Sequence, residues 1–230
     1  MAHSREEFVF AALGGLGEIG RNAALYGFGA PGRRKWIMVD CGLSFAGPDL
    51  PGIDLVFPDL SFVDKIRKDL LGLVITHAHE DHIADLDTLA KRTKAEVWSH
   101  ELEPLARPGA RTFKEGAYFH VGDIAIKTLL TSGHSPGMTT FYITGLSWPL
   151  AIVGDAVFSC SMGGSQTAFE EQYRLNVEKI FTLPRDTVIA PGHGPLSTVA
   201  QEKHHNPFYA SRTEKSNLAD IKQKNDPTHV

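Results

Sequence analysis

Leu70-Leu71-Gly72-Leu73-Val74-Ile75-Thr76-His77-Ala78-His79-Glu80-Asp81-His82 joins an apolar run to a burst of imidazole and carboxylate. The run 70–75 reads as a buried strand. The six residues after Thr76 hold three histidines and two carboxylates. That is a poor way to fill a core. It is a good way to hold metal at a sheet edge, because neutral imidazole and ionised carboxylate suit zinc, iron or manganese. Directly afterwards Ile83, Leu86, Leu89 and Ala90 recur at helical spacing, ahead of a basic end.

The pattern of strand, glycine and ligand recurs three times downstream. The alternating run 124–130 leads into Ser132-Gly133-His134-Ser135-Pro136-Gly137. The run 150–153 leads into Gly154-Asp155, and 187–190 leads into Pro191-Gly192-His193-Gly194-Pro195. Glycine allows close backbone approach and positive φ, which a turn aimed at a metal needs. These residues by themselves make a two-metal site plausible without assigning ligands to each ion.

His77-x-His79-x-Asp81-His82, His134, Asp155 and His193 match, in order, the five metal motifs of the metallo-β-lactamase superfamily, which the chain resembles over about residues 8–208. The resemblance implies an α+β fold, a four-layer αββα sandwich. It also implies two divalent metal ions, zinc first, with manganese and iron as alternatives. Carried over residue by residue, His77, His79 and His134 would hold one metal. Asp81, His82 and His193 would hold the second, with Asp155 bridging. A hydroxide between the metals would attack a carbonyl or phosphoryl centre, and Asp81 would be the catalytic residue that both ligates and orients it.

The two halves resemble different branches. Leu13-Gly14-Gly15-Leu16-Gly17-Glu18-Ile19-Gly20-Arg21-Asn22, Leu50-Pro51-Gly52-Ile53-Asp54, Phe57-Pro58-Asp59 and the His-Ala-His-Glu-Asp-His form resemble ribonuclease J over about residues 8–90. In that family a large inserted domain lies between the positions of Asp155 and His193 and clamps RNA. Here 37 residues separate the two, too few for a further domain. The later motifs, with Asn206-Pro207-Phe208, resemble short glyoxalase II-like hydrolases over about residues 120–208. The glyoxalase II-like half implies ester or thioester hydrolysis. The expected function is therefore a binuclear hydrolase of a small ester, thioester or lactone. A ribonuclease J-like phosphodiesterase, a promiscuous β-lactamase and a single-iron sulfur-dioxygenase are the alternatives.

Gly15-Leu16-Gly17-Glu18-Ile19-Gly20 also fits the dinucleotide fingerprint, which requires a helix directly after it. Residues 21–27 read instead as strand and turn, so nucleotide binding is not expected.

Composition bounds the rest. With 230 residues and 42% hydrophobic content, one domain over residues 1–210 and a polar tail over 211–230 are expected. A net charge of −4 argues against gripping nucleic acid by bulk charge, so a small acyl substrate is favoured as partner over nucleic acid. Oligomeric state stays open. The polar first residues lack a following signal-type apolar run, and no run approaches membrane-spanning length, so a cytoplasmic protein is expected. The two cysteines, Cys41 and Cys160, read as reduced, buried thiols.

Helices are expected over 59–68, 83–92, 101–106, 168–183 and 199–205, and a long ordered loop over 41–58. Asp40 is a candidate acceptor for an imidazole or a plain strand-end carboxylate. Glu80 reads as a solvated helix-start charge. Of His204 and His205 one is expected to pack and one to face solvent, while His3, His100, His120 and His229 read as surface residues. Phe45, Phe57, Trp148, Met162 and Tyr173 could line a pocket, though packing is the commoner fate of such residues.

Overall fold

The computed structural model describes residues 6–165 and 168–210. The expected polar tail, 211–230, lies outside the described residues, as do His3 and His229.

Alternation along the strands decides the layering, because successive side chains leave opposite faces of a strand. In the N-terminal half, β1 (Glu7–Gly14), β2 (Ala23–Gly29) and β3 (Lys35–Val39) form an antiparallel run. A two-residue hairpin, β4 (Ser44–Phe45) with β5 (Leu55–Val56), interrupts the long loop. Helix α1 (Ser61–Ile66) precedes β6 (Leu70–Val74). Then follow the single turn α2 (Glu80–Ile83), α3 (Leu86–Thr93), β7 (Val97–His100) and β8 (Ala110–Phe113). The six-stranded sheet has order β1-β2-β3-β6-β7-β8, parallel from β3 onward.

The C-terminal half mirrors it with β9 (Tyr118–Val121), β10 (Ile124–Leu130), β11 (Thr139–Thr144), β12 (Leu150–Gly154), β13 (Val188–Pro191) and β14 (Ser197–Thr198). Their order is β14-β13-β12-β11-β10-β9. Helix α4 (Phe169–Leu175) and α5 (Val199–His205) complete the chain.

Three apolar cores separate four layers. Leu25, Met38 and Leu73 point outward and meet Val63 of α1 and Leu86 and Leu89 of α3. Their strand neighbours Tyr26 and Val39 point inward, where they join Ile126, Phe141, Ile143 and Ile152 of the second sheet. Ala151, Val153 and Ile189 point outward again, under Ile180, Phe181 and Val199. This is the αββα sandwich, with the sheets' inner faces forming the middle core. Phe141 is 2% exposed and stands edge-on to Phe113 with ring centroids 5.7 Å apart. Truncating such a ring to alanine costs about 3–5 kcal/mol.

Several expectations are corrected. Residues 101–106 form turns, not a helix: Pro104 pushes Glu103 out of the helical region, and Glu103 N–H closes a turn on His100 O at 2.9 Å. The helix expected over 168–183 ends its α-form at Leu175 and continues as a π-turn, Asn176–Ile180. Phe181 N–H there bonds Asn176 O, while the Asn176 amide reaches Ala156 O and Tyr209 Oη, each at 2.8 Å. His100 is buried against Phe113 rather than on the surface, and His204 and His205 are both exposed. Cys41 is buried as expected, whereas Cys160 is exposed.

Strand direction positions the site. β3 and β6 run parallel, as do β12 and β13, and β10 shares the direction of β12 because both are antiparallel to β11. The residues that follow all five strands therefore emerge at one edge of the sandwich. In open sheets, ligands favour the carboxyl ends of parallel strands.

Candidate metal centre

Seven side chains meet at that edge as two groups, and within each group the donor atoms lie within 4.8 Å of one another. The first is His77, His79 and His134; the second is Asp81, His82, Asp155 and His193. Every residue singled out as a ligand in the sequence is present, and the two groups divide the residues between them with Asp155 inside the second.

In the first group three ring nitrogens converge. His79 Nδ1 is 3.1 Å from His77 Nε2 and 3.1 Å from His134 Nε2. His134 Nδ1 donates to Gly164 O at 2.7 Å, which leaves the Nε2 lone pair facing the group. Burial and neighbouring imidazoles hold His77 well below the usual histidine range, and lower His79 as well. Neutral rings with lone pairs aimed at one point are what a cation requires.

The second group is buried and anionic. Asp155 Oδ2 lies 3.3 Å from His193 Nε2 and 3.7 Å from His134 Nε2, so one carboxylate reaches both groups. Its Oδ1 is 3.3 Å from His82 Nε2 yet has no hydrogen-bond partner among the described residues. Burial works to raise the Asp155 pKa, but His193 and His82 outweigh it and hold the carboxyl well below its usual range. An ionised, buried carboxylate with an unused oxygen fits a bridging cation ligand. Asp81 Oδ2 is 3.1 Å from His193 Nε2, and Asp81 keeps partial exposure.

Backbone approach builds the floor. Cys41 N–H bonds His82 O at 2.7 Å and Leu43 N–H bonds Glu80 O at 3.3 Å, so the segment after β3 lies flat on the metal motif. At Gly42 any Cβ would overlap the Asp81 carbonyl, and at Gly192 it would overlap Asp155 Oδ1. The sequence signal for each was only a glycine beside a ligand-type residue.

Around the two groups stands a set of bracing side chains. Asp40, buried and left-handed at φ 59°, accepts from Thr76 N–H at 2.8 Å and Thr76 Oγ1 at 2.7 Å. Its Oδ2 also lies 2.7 Å from His82 Nδ1, so it is the imidazole acceptor and not a free strand-end charge. Such a partner fixes the ring and raises its basicity. Burial opposes the charged form of His82, but Asp40 and Asp155 outweigh it and push its pKa up to about 10. Gln172 braces from the other side, its Nε2 donating to Gly163 O at 3.1 Å. Asn22 Nδ2 lies 2.7 Å from His82 Nε2, and Asn22 N–H bonds Asp81 O at 2.9 Å. Neither Asn22 nor Gln172 was singled out from the sequence; their roles depend on contacts across many residues.

The glycine loop 14–20 ends on the same centre. Gly20 N–H points to His193 Nδ1 at 3.2 Å, and the chain then enters β2, not a helix. Its positive-φ glycines serve that approach instead of a dinucleotide. Ile19 and Phe45, each 82% exposed, stand next to Gly20 and Ser44, whose chains touch. Glu80 is exposed at the start of α2.

The metallo-beta-lactamase superfamily model matches residues 16–193, which include all seven clustered residues. The chain belongs to the metallo-beta-lactamase superfamily. Within this superfamily it is 30% identical over 160 residues to the protein named "Probable metallo-hydrolase YqgX" of Bacillus subtilis, covering 60% of this chain and 75% of that one. Its N-terminal region is 60% identical over 84 residues to ribonuclease J of Sinorhizobium meliloti. That match covers 36% of this chain and only 15% of the ribonuclease. Two solved structures share the superfamily fold. ETHE1 from Myxococcus xanthus matches with a TM-score of 0.68 at 22% identity, covering 95% of this chain and 92% of the other. The BLEG-1 B3 metallo-beta-lactamase matches with a TM-score of 0.66 at 24% identity, covering 87% and 99%. Superfamily membership and the metallo-hydrolase relative make this chain a hydrolase, and its His/Asp cluster suits divalent metal. Among the described residues no helix is long and apolar enough to cross a membrane.

Proposed function

We propose that the chain is a binuclear zinc hydrolase of small esters, thioesters or lactones. One observation carries the reading: Asp155, a member of the second donor group, also reaches His134 of the first and keeps a buried oxygen with no hydrogen-bond partner among the described residues. His77, His79 and His134 would hold one ion, Asp81, His82 and His193 the other, and Asp155 both. A divalent pair supplies, when bound, Lewis acidity and a water acidified towards neutrality.

The chain's own residues do the rest. Asp155 keeps the two donor groups at one carboxylate. Asp81, only partly exposed and at the open side of the second group, orients the attacking water and accepts its proton. Asp40 holds the His82 ring through Nδ1, so that Nε2 faces the centre. Ile19 and Phe45 are exposed apolar residues, and Ile19 directly precedes Gly20, whose N–H points to His193, which suits an acyl group better than a phosphodiester backbone.

Three observations favour the acyl reading over RNA. The 37 residues between Asp155 and His193 are spent on α4, the π-turn and β13 apart from the loops, with no room for an inserted clamp. The chain is acidic overall. The metallo-hydrolase relative is matched over most of its length, the ribonuclease over little. The 60% identity to ribonuclease J over 84 residues nevertheless supports a second reading, a phosphodiesterase that uses the same centre.

A substrate panel at two salt concentrations separates the two. Turnover of a small acyl substrate depends on pocket shape and is expected to be nearly indifferent to moderate salt. RNA held by a few surface cations would dissociate steeply as salt rises. Metal-dependent RNA degradation at physiological ionic strength, abolished by His79→Ala, with no turnover of any thioester, ester or lactone, would replace the first reading by the second.

A further inference from the structure

Glu103 lies outside both donor groups, in the turn between β7 and β8, and its carboxylate bonds the loops that carry the first group. Oε1 accepts from Ala78 N–H at 3.2 Å. Oε2 accepts from Ser135 Oγ at 2.8 Å and from Gly137 N–H at 3.0 Å. Ala78 separates His77 from His79, and Ser135 follows His134. One side chain therefore ties together the two loops that deliver all three imidazoles of the first group. One of those loops follows β6 of the first sheet, and the other follows β10 of the second.

The fit is close. Gly137 has no room for a Cβ because the Glu103 side chain occupies that space. The three imidazoles carry no charge of their own when neutral. Asp40 bonds one of the loops that carry them, at Thr76, and Glu171 bonds the other, at Ser132, whereas Glu103 bonds both. The second group has the corresponding partner in Asp40, bonded to His82 and to Thr76.

We propose that Glu103 is the positioning residue of the first metal site: it sets the spacing of His77 and His79 against His134 and thereby the affinity of that site alone. The inference rests on the binuclear reading above. It differs from a general structural role in predicting a site-selective effect, because the second group makes no bond to Glu103 among the described residues.

Titration of the metal-free protein with cobalt(II), followed by visible absorption and calorimetry, tests it. The wild type is expected to bind in two steps, and His134→Ala to abolish the step that belongs to the first group. Glu103→Ala should weaken that same step by about 10- to 100-fold, the usual scale for partners that orient ligands, and leave the other step in place. Glu103→Gln, which keeps one acceptor oxygen of two, should fall between. Both steps unchanged in Glu103→Ala would overturn the proposal. So would an equal loss at both steps together with a lowered unfolding temperature of the metal-free protein, which would mark a merely structural residue. Should Glu103→Ala fail to fold, the Glu103→Gln titration decides by the same two criteria. A wild type that takes up no metal would sink the binuclear reading itself, whereas two normal steps in every Glu103 variant would sink only this inference.

Discussion

The two donor groups lie side by side and are built in opposite ways. The first gathers three imidazoles, one of them exposed, on two loops from different sheets. The second gathers two imidazoles and two carboxylates, three of the four buried, over a floor of backbone bonds from the segment after β3. The first relies on the neutrality of its rings, which burial enforces at His77. The second relies on ionised carboxylates that its own histidines keep deprotonated. A cation at the first site gains lone pairs that nothing else uses. A cation at the second also neutralises buried negative charge, so the second is expected to be the tighter.

The largest break in this comparison comes from the residue both groups share. Asp155→Asn removes the one charge that reaches either side, and should lower hydrolysis by at least about 10³-fold, equal to several kcal/mol of lost charge stabilisation. Elemental analysis should show metal content falling in parallel. Normal metal content in that variant would mean that Asp155 does not bridge.

Asp40→Asn sharpens the contrast by removing the charge bonded directly to His82 of the second group, while the first is reached only through Thr76, whose Oγ1 is 3.2 Å from His77 Nδ1. It should weaken the second site about 10- to 100-fold and the first by clearly less, the complement of the Glu103 effect. Stepwise titration reads the difference, and identical titration curves for the Asp40 and Glu103 variants would show that the two sites are not separately braced.

A smaller effect concerns protons. His82 is raised from 6.5 to about 10, with burial opposing and Asp40 leading the rise. A raised histidine stabilises the metal-free fold fully below pH 6.5, and that contribution is lost as pH rises towards about 10. Metal must displace the same proton. Over this window, therefore, the metal-free protein should lose stability while metal affinity gains, with net proton release on uptake. Thermal unfolding after chelation and calorimetry in buffers of different ionisation heat measure the two trends. Affinity that stays flat from about pH 6 to 8 would remove His82 from the second site.

The smallest effect is expected at Glu80, which sits inside the densest run of ligand-type residues yet faces solvent at the start of α2. Glu80→Gln should leave metal content and turnover within about twofold, in line with exposed substitutions generally. A loss comparable to that of Asp155→Asn would show that the motif has been read one residue out of place.

The strands and the seven clustered residues were largely legible in the sequence because they obey local rules, whereas the αββα sandwich was implied by the family resemblance. Strands alternate with period two, and each ligand-type residue follows a strand end within a few positions. The braces were not legible for the opposite reason. Glu103 acts at Ala78 and Ser135, which are 25 and 32 positions away, and Asn22 reaches His82 across 60. Nothing local marks such residues. The misread segment 101–106 is instructive, since a short helix was expected there although Pro104 disfavours helix at Glu103, which reaches the loops from a turn. His100 looked like a surface residue only because a lone histidine in sequence carries no record of the Phe113 ring beside it.

The centre draws His77, His79, Asp81 and His82 from the segment after β6 of the first sheet, and His134, Asp155 and His193 from strand ends of the second. Polar contacts between the sheets along this edge include Thr139 N–H to Thr76 O at 3.0 Å, Gly20 N–H to His193, and Glu103 to Ser135 and Gly137. Metal uptake would therefore act as a clasp across the seam between the halves. Amide exchange in the loops on both sides should slow together on loading, and a chain cut in the β8–β9 connection could be held as one body by its ions.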